Sequence, residues 1–251
     1  MKDRELIPRK IHYCWFGGGE PGEKEKKYIE SWHKACPDFE IIRWDESGYD
    51  INKNRFMKEA ASVGKWSFVS DYARLDILNE HGGIYFDTDV EIIKDFSDLL
   101  KYEGFIGFEN DEKVNDGQGF GFRPGHPILQ EMMKAYENEK FIKEDGTLNI
   151  KESPLYRTEC LVKHGLKLNG ERQNIEGIEI LPKDYFCPMD YYTRRVKQTG
   201  NTYSIHHFHE SWHSKKARIL SGFRTVLCRI LGTERGLKTF TAIMKWKDRR
   251  R

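Results

Sequence analysis

Long apolar runs are missing from this 251-residue chain, and so is any patterned use of cysteine. No stretch of about 18 apolar residues occurs, so a hydrophobic transmembrane helix is excluded. The opening MKDRELIPRK has no apolar segment of the kind a signal peptide needs, and a cytoplasmic location is expected. The five cysteines (Cys14, Cys36, Cys160, Cys187 and Cys228) are odd in number and scattered. They form neither a zinc-finger spacing nor a disulfide framework, so reduced thiols are expected. No Lys-Ser/Thr pair follows the glycines at 17–19, which leaves them without the phosphate cradle of a P-loop. Internal repeats, low-complexity linkers and nucleic-acid-binding motifs are likewise absent.

What is present suits a globular enzyme: 13% aromatic and 33% charged residues, in a chain long enough for one large domain with an appendage. The charge is unevenly spread. Residues 215–251 hold 12 Lys/Arg against Glu234 and Asp248, a net +10, while the remaining residues hold 30 basic and 38 acidic groups, a net −8. An acidic body with a basic tail that seeks an anionic surface is the expectation, with no role for nucleic acid. The tail is also amphipathic. Ile219, Leu220, Phe223, Val226, Leu227, Ile230 and Leu231 share one helical face, and Lys245, Trp246 and Lys247 close the second segment, 234–247. An aromatic among cations suits a lipid headgroup region, so docking on the inner face of a membrane is expected, the alternative being that the apolar face of 215–231 packs on the catalytic domain.

Strands are predicted at 10–16, 39–44, 105–108, 178–181 and 202–207, and helices at 23–35, 66–81, 126–138 and 153–164. The alternation argues for an α/β sheet with mostly parallel strands. Division into a catalytic domain, 1–214, and a helical basic extension, 215–251, follows from the composition shift.

Three constellations carry chemistry. The run GGIYFDTDVEII, 82–93, reads as a buried strand and yet contains Asp87 and Asp89. Carboxylates in such a run need a partner or a metal. Two oxygen ligands at i and i+2 suit a hard cation such as Mn²⁺ or Mg²⁺. As an alternative, a bare D-x-D is also what a solvent-facing turn contains. The preceding helix, KWSFVSDYARLDIL, places Asp71 and Arg74 at i, i+3 within an apolar pattern. That pair is either an ordinary intrahelical ion pair or an Arg fork set beside a carboxylate to grip hydroxyls or phosphate. The stretch SIHHFHESWH, 204–213, offers His206, His207, His209 and His213, one of which would serve as a further metal ligand.

Together the stretches IPRKIHYCWFGGG, SFVSDYARLDILNEHGGIYFDTDVEII, RPGHP and IHHFHESW resemble glycosyltransferase family 32, the DXD-containing sugar transferases of capsular polysaccharide synthesis and yeast mannosylation. The resemblance spans about residues 6–213 and implies a GT-A-like (Rossmann-like) fold, a metal-dependent nucleotide-sugar site and transfer with retention of configuration. Residue by residue it implies that Trp15 stacks on the base, with Tyr13 and Tyr85 among the donor-binding residues. Asp71 and Arg74 would contact donor sugar and ribose. Asp87 would reach ribose and sugar, and Asp89 would hold the metal, Asp87 sharing in its coordination. His207, Ser211 and Trp212 match an H-x-x-x-S-W element that folds over the diphosphate, with His207 as the metal-side histidine. Many relatives have an asparagine near Gly117, where this chain reads Gly117-Gln118. The implied donor is a UDP-hexose or UDP-N-acetylhexosamine in preference to GDP-mannose, and the acceptor a glycan or lipid-linked saccharide of surface polysaccharide. The residues alone leave two other readings open: a metal-dependent phosphoryl or nucleotidyl transferase, and a non-catalytic cation-binding module.

Overall fold

The computed structural model describes residues 4–209 and 215–248, the side chains of Lys215 and Asp248 aside. Strand β1 (Lys10–Cys14) leads through the glycines at 17–19 into helix α1 (Glu23–Ala35), which buries Trp32. Strand β2 (Glu40–Trp44) follows, then helices α2 (Arg55–Ser62) and α3 (Trp66–His81). Helix α3 ends at Gly82, whose φ of 62° lies in the region that only glycine enters without strain. The space confirms the choice, since a Cβ there would meet Pro124 and Pro8 at 2.7 and 2.8 Å.

The segment expected to be one aspartate-bearing strand is two. Strand β3 (Gly83–Tyr85) belongs to the main sheet, and strand β4 (Val90–Ile92) to a separate two-stranded sheet. Asp87, Thr88 and Asp89 occupy the bend between them. Strands β5 (Gly104–Asn110) and β6 (Lys113–Phe122) form a hairpin. Helices α4 (Pro127–Lys134) and α5 (Ser153–Lys163), strands β7 (Gln173–Ile175) and β8 (Ile178–Leu181), the short α6 (Lys183–Phe186) and strand β9 (Ser204–His206) complete this part.

The sheet has the order β2-β1-β3-β6-β5-β8-β7. The α/β class is as expected, but the sheet is mixed. Pairs β1/β2, β1/β3 and β5/β8 are parallel, whereas β3/β6, β5/β6 and β7/β8 are antiparallel. A two-residue turn suffices for an antiparallel hairpin, whereas each parallel pair needs a crossover. The β5–β6 and β7–β8 connections are of the short kind. One core packs α3, α4 and α5 through residues such as Phe68, Leu75, Leu129 and Leu161, and the other packs α1 through Trp32 with Phe86, Phe96 and Phe105. Buried His12 ties β1 to the start of β3, its Nε2 donating to the Gly82 carbonyl at 2.9 Å and its Nδ1 accepting from Trp44 Nε1 at 3.1 Å. Burial pushes its pKa down to about 4, so the ring is neutral in this role.

All five cysteines are buried thiols. No helix among the described residues is long and apolar enough to cross a membrane.

The chain forms two compact units, Met1–Pro188 with Gln198–His206, and Met189–Lys197 with His207–Arg251. A division at 214/215 assigns 189–197 to the first part, whereas contacts group them with the second. The Met189–Val196 bridge closes this excursion, Arg194 Nη1 donates to the His207 carbonyl at 3.4 Å, and Arg229 Nε to the Thr193 carbonyl at 2.6 Å. In this second unit, α7 (Lys215–Leu231) and α8 (Thr233–Asp248) pair as a helical hairpin, with Phe223 and Phe240 in ring contact.

Candidate active site

Arg74 organises the site. Its guanidinium donates through Nε to the Ser70 carbonyl, through Nη1 to Asp116 Oδ1 and through Nη2 to Asp87 Oδ1, each at 3.1 Å. Nη2 also pairs with Asp71 Oδ1 at 3.1 Å, one turn back on α3. The Tyr85 ring lies 4.7 Å from the guanidinium carbon, and its hydroxyl donates to Asp87 Oδ1 at 3.1 Å. Arg74 thus holds the aspartate bend to α3, and its contacts are to protein carboxylates. Tyr85, expected on the donor, is 1% exposed and also acts on Asp87.

Behind Arg74 lies a second charged layer. Asp116 of β6 is fully buried and accepts from Arg74, from Ser153 Oγ at 2.8 Å and from Arg157 Nε at 2.7 Å. Arg157 of α5 reaches onward to the Asp71 carbonyl at 2.7 Å. Burial alone would push the Asp116 carboxyl up, but Arg157 and Arg74 outweigh it and hold its pKa below the ordinary value. Asp71 goes the other way: burial raises it to about 7, against the pull of Arg74. Asp87 is also raised, by burial first, with Arg74 opposing.

Asp87, Asp89 and His206 form the candidate metal site, their ligand atoms all within 4.8 Å of one another. His206 Nε2 is 3.3 Å from Asp89 Oδ1. Burial lowers the pKa of this imidazole, but Asp89 and Asp87 prevail and it stands above the ordinary value. Antiparallel pairing of β4 with β9 sets His206 opposite Val90, next to Asp89. The H-x-x-x-S-W spacing favours His207 instead, so the histidine grouped with the aspartates is one residue earlier. His207 itself belongs to the second unit. Ser211 and Trp212 lie outside the described residues.

Gly117 finds its reason here. Its carbonyl accepts from the Asp87 amide at 2.8 Å, and a Cβ at 117 would fall 2.1 Å from Asp87 Oδ2. Gln118 is fully buried and donates to the Gly107 and Phe108 carbonyls at 3.0 and 3.1 Å, bridging the irregular pairing of β5 with β6. The asparagine nearest the site is Asn115, which accepts from the Gly117 amide at 2.7 Å and donates to Glu109 Oε2 at 2.7 Å. Trp15 is partly buried at the end of β1, its indole donating to the Gly19 carbonyl at 3.2 Å. Tyr13 packs edge-on against Trp32 at 5.5 Å in the core that faces α1.

Asp116 and Arg157 escape sequence reading. Asp116 stands in NDGQG, which has turn composition. Arg157 did leave a signal, since it shares a helical face with Cys160 and Leu161, where a charge is out of place unless paired.

With the geometry in view, the relatives can be placed. Residues 22–106 match the family described as "Glycosyltransferase sugar-binding region containing DXD motif". An uncharacterized glycosyltransferase, L373, of Acanthamoeba polyphaga mimivirus is 26% identical over 227 residues, covering 85% of this chain and 88% of its own. A human alpha-1,4-N-acetylglucosaminyltransferase is 36% identical over 78 residues, which are 31% of this chain and 22% of that protein. Among solved structures, PaToxG glycosyltransferase overlaps 63% of this chain and 70% of its own at 19% identity, with a TM-score of 0.48. The fold is α/β, with helices on both faces of the central sheet. The matched region contains both aspartates of the bend, Asp87 and Asp89, together with Asp71 and Arg74 of α3.

Replacing Asp116 strands two buried guanidiniums. Asp116→Asn should lower unfolding free energy by about 3–5 kcal/mol in urea titration, whereas Glu144→Gln on the surface should change it by less than about 0.5 kcal/mol. Because the folded pKa of Asp116 is depressed, its contribution is full above about pH 4 and is lost as pH falls through the folded value. The deficit of the variant should therefore shrink in acid.

Proposed function

We propose that the chain transfers a hexose or N-acetylhexosamine, with retention, from a UDP-sugar in preference to GDP-mannose, to a glycan or lipid-linked saccharide of surface polysaccharide. The observation that carries this reading is the grouping of His206 of β9 with Asp87 and Asp89 of a bend fastened to Arg74. Two carboxylates and an imidazole suit Mn²⁺ or Mg²⁺, and leave positions for phosphate oxygens. When bound, the cation supplies positive charge against the diphosphate that leaves the anomeric carbon. The protein's part is to hold that constellation rigid before the donor arrives. Arg74 and Tyr85 fix Asp87, and the Gly117 carbonyl fixes its backbone. Asp71 would offset positive charge developing on the sugar, and Trp15 would stack on the base. Similarity to an N-acetylglucosaminyltransferase supports the N-acetylhexosamine choice.

Incubation with UDP- and GDP-sugars should give slow donor hydrolysis that requires Mn²⁺ or Mg²⁺. Asp89→Ala should lower it on the order of 100-fold or more, with the circular dichroism unchanged. Activity indifferent to EDTA, or full activity in that variant, would rule the reading out. A phosphoryl or nucleotidyl transferase would release a different product, and a binding module none.

The second unit supports docking on an anionic membrane. Ile219, Phe223, Val226 and Ile230 recur at spacings of four, three and four along α7, and are 74, 41, 51 and 73% exposed. Exposed Lys216, Arg218 and Arg229 accompany them, and α8 adds Lys245, Trp246 and Lys247. Each cation near an anionic surface contributes on the order of 1 kcal/mol. The full chain should co-sediment with anionic vesicles, release with salt and ignore neutral ones. Binding that survives deletion of residues 233–251 unchanged, or no salt-sensitive binding, would remove the membrane role.

A further inference from the structure

A second group of ligating side chains lies at the other end of the sheet. Strands β3, β5 and β8 run in the same direction, the aspartate bend follows the end of β3, and Glu176 precedes the start of β8. Near Glu176 stand Glu131 on α4, Cys160 on α5 and His164, which caps the C-terminus of α5. Cys160 and His164 are one helical turn apart and face the same way. His164 Nε2 is 2.9 Å from Glu131 Oε2, and a ligand atom from each of Glu131, Cys160 and His164 lies within 4.8 Å of the others.

We infer that Glu131, Cys160 and His164 form a second divalent-cation site, selective for Zn²⁺ over the hard ions suited to the aspartate bend. Three observations carry this. The set is mixed: a thiol, an imidazole and a carboxylate from two packed helices, which is a zinc donor set. Zinc–ligand bonds of about 2.0–2.3 Å place tetrahedral ligand atoms roughly 3.3–3.8 Å apart, so small rotamer changes close the site. The imidazole is also oriented for it. His164 Nδ1 lies 2.8 Å from Glu176 Oε1, so that carboxylate accepts the Nδ1 proton and leaves Nε2 toward the other two ligands. This is the carboxylate–histidine–metal relay of zinc proteins. Cys160 is hydrogen-bonded to Glu131, so thiol and imidazole converge on the same carboxylate.

Access and purpose both fit. Cys160 is 5% exposed, while the side chains of His164 and Glu131 are 22 and 40% exposed, so an ion can enter and solvent can complete its coordination. Arg157, which holds Asp116 and the Asp71 carbonyl, is three residues before Cys160 on the same helix. A cation joining α4 to the end of α5 would brace the helix that steadies the aspartate network from behind.

Co²⁺ added to the full chain tests this, because a thiolate ligand gives an intense sulfur-to-cobalt absorption in the near ultraviolet and the aspartate bend contains no sulfur. The band should appear in the wild type, persist in Asp89→Ala and be displaced by Zn²⁺ but not by Mg²⁺. It should vanish in Cys160→Ser and in His164→Gln, the latter at a partly exposed position, with circular dichroism checking that each variant is folded. Zn²⁺ should raise the melting temperature of the wild type and leave that of His164→Gln unmoved. Absence of the band in the wild type, or its persistence in either variant, would overturn the site. Loss of sugar transfer would not bear on it.

Discussion

The ion pair between Arg74 and Asp116 is the constraint on which the rest of the site depends. It joins α3, which runs into the aspartate bend, to β6, which lies under that bend. Neither partner could be buried alone, since an isolated charge in the interior costs several kcal/mol even after relaxation. Arg157 and Ser153 complete the coordination of Asp116, and Asp87 and Asp71 complete that of Arg74. Every member therefore fixes the direction of another. Specificity of geometry is what such a network supplies to a site that must be preorganised.

The same network sets the electrostatics. Two guanidiniums face three carboxylates, Asp71, Asp87 and Asp116, and Asp89 adds a fourth at the bend. With all ionised the array is two charges negative, the complement of one divalent cation. Burial raises Asp71 and Asp87, with neighbouring carboxylates adding to it, whereas Asp89 and Asp87 raise His206 against its burial. A cation at Asp89 and His206 would relieve the excess of negative charge, which ties the stability of the bend to occupancy of the site.

Much of this was legible in the sequence, for physical reasons that differ by element. The limits of helices α1 and α3 fall where apolar periodicity puts them, and Gly82 ends α3. Strand β6 did not read as a strand because KVNDGQGFGF mixes three glycines with polar residues. Its composition answers to neighbours, above all the Asp87 carboxylate against Gly117, and not to strand propensity. The aspartate run reads as one strand because its apolar residues belong to two strands in two sheets, with the aspartate bend between them. Asp71, Arg74, Asp87 and Asp89 are brought together as their spacing suggested, whereas the histidine shifts from 207 to 206 because pairing with β4, not motif spacing, decides which ring groups with Asp89. Asp116 and Arg157 meet across 41 residues of chain, and the one local mark is a charge at Arg157 on the apolar face of α5.

In the proposed reaction Asp89 and His206, aimed by the Arg74 network, hold the cation that accompanies a nucleotide-sugar. Anomalous X-ray scattering from crystals grown with UDP and Mn²⁺ tests it most directly. The prediction is a manganese peak within bonding distance of both Asp89 and His206. A nucleotide-bound manganese that leaves both residues uncoordinated would contradict it.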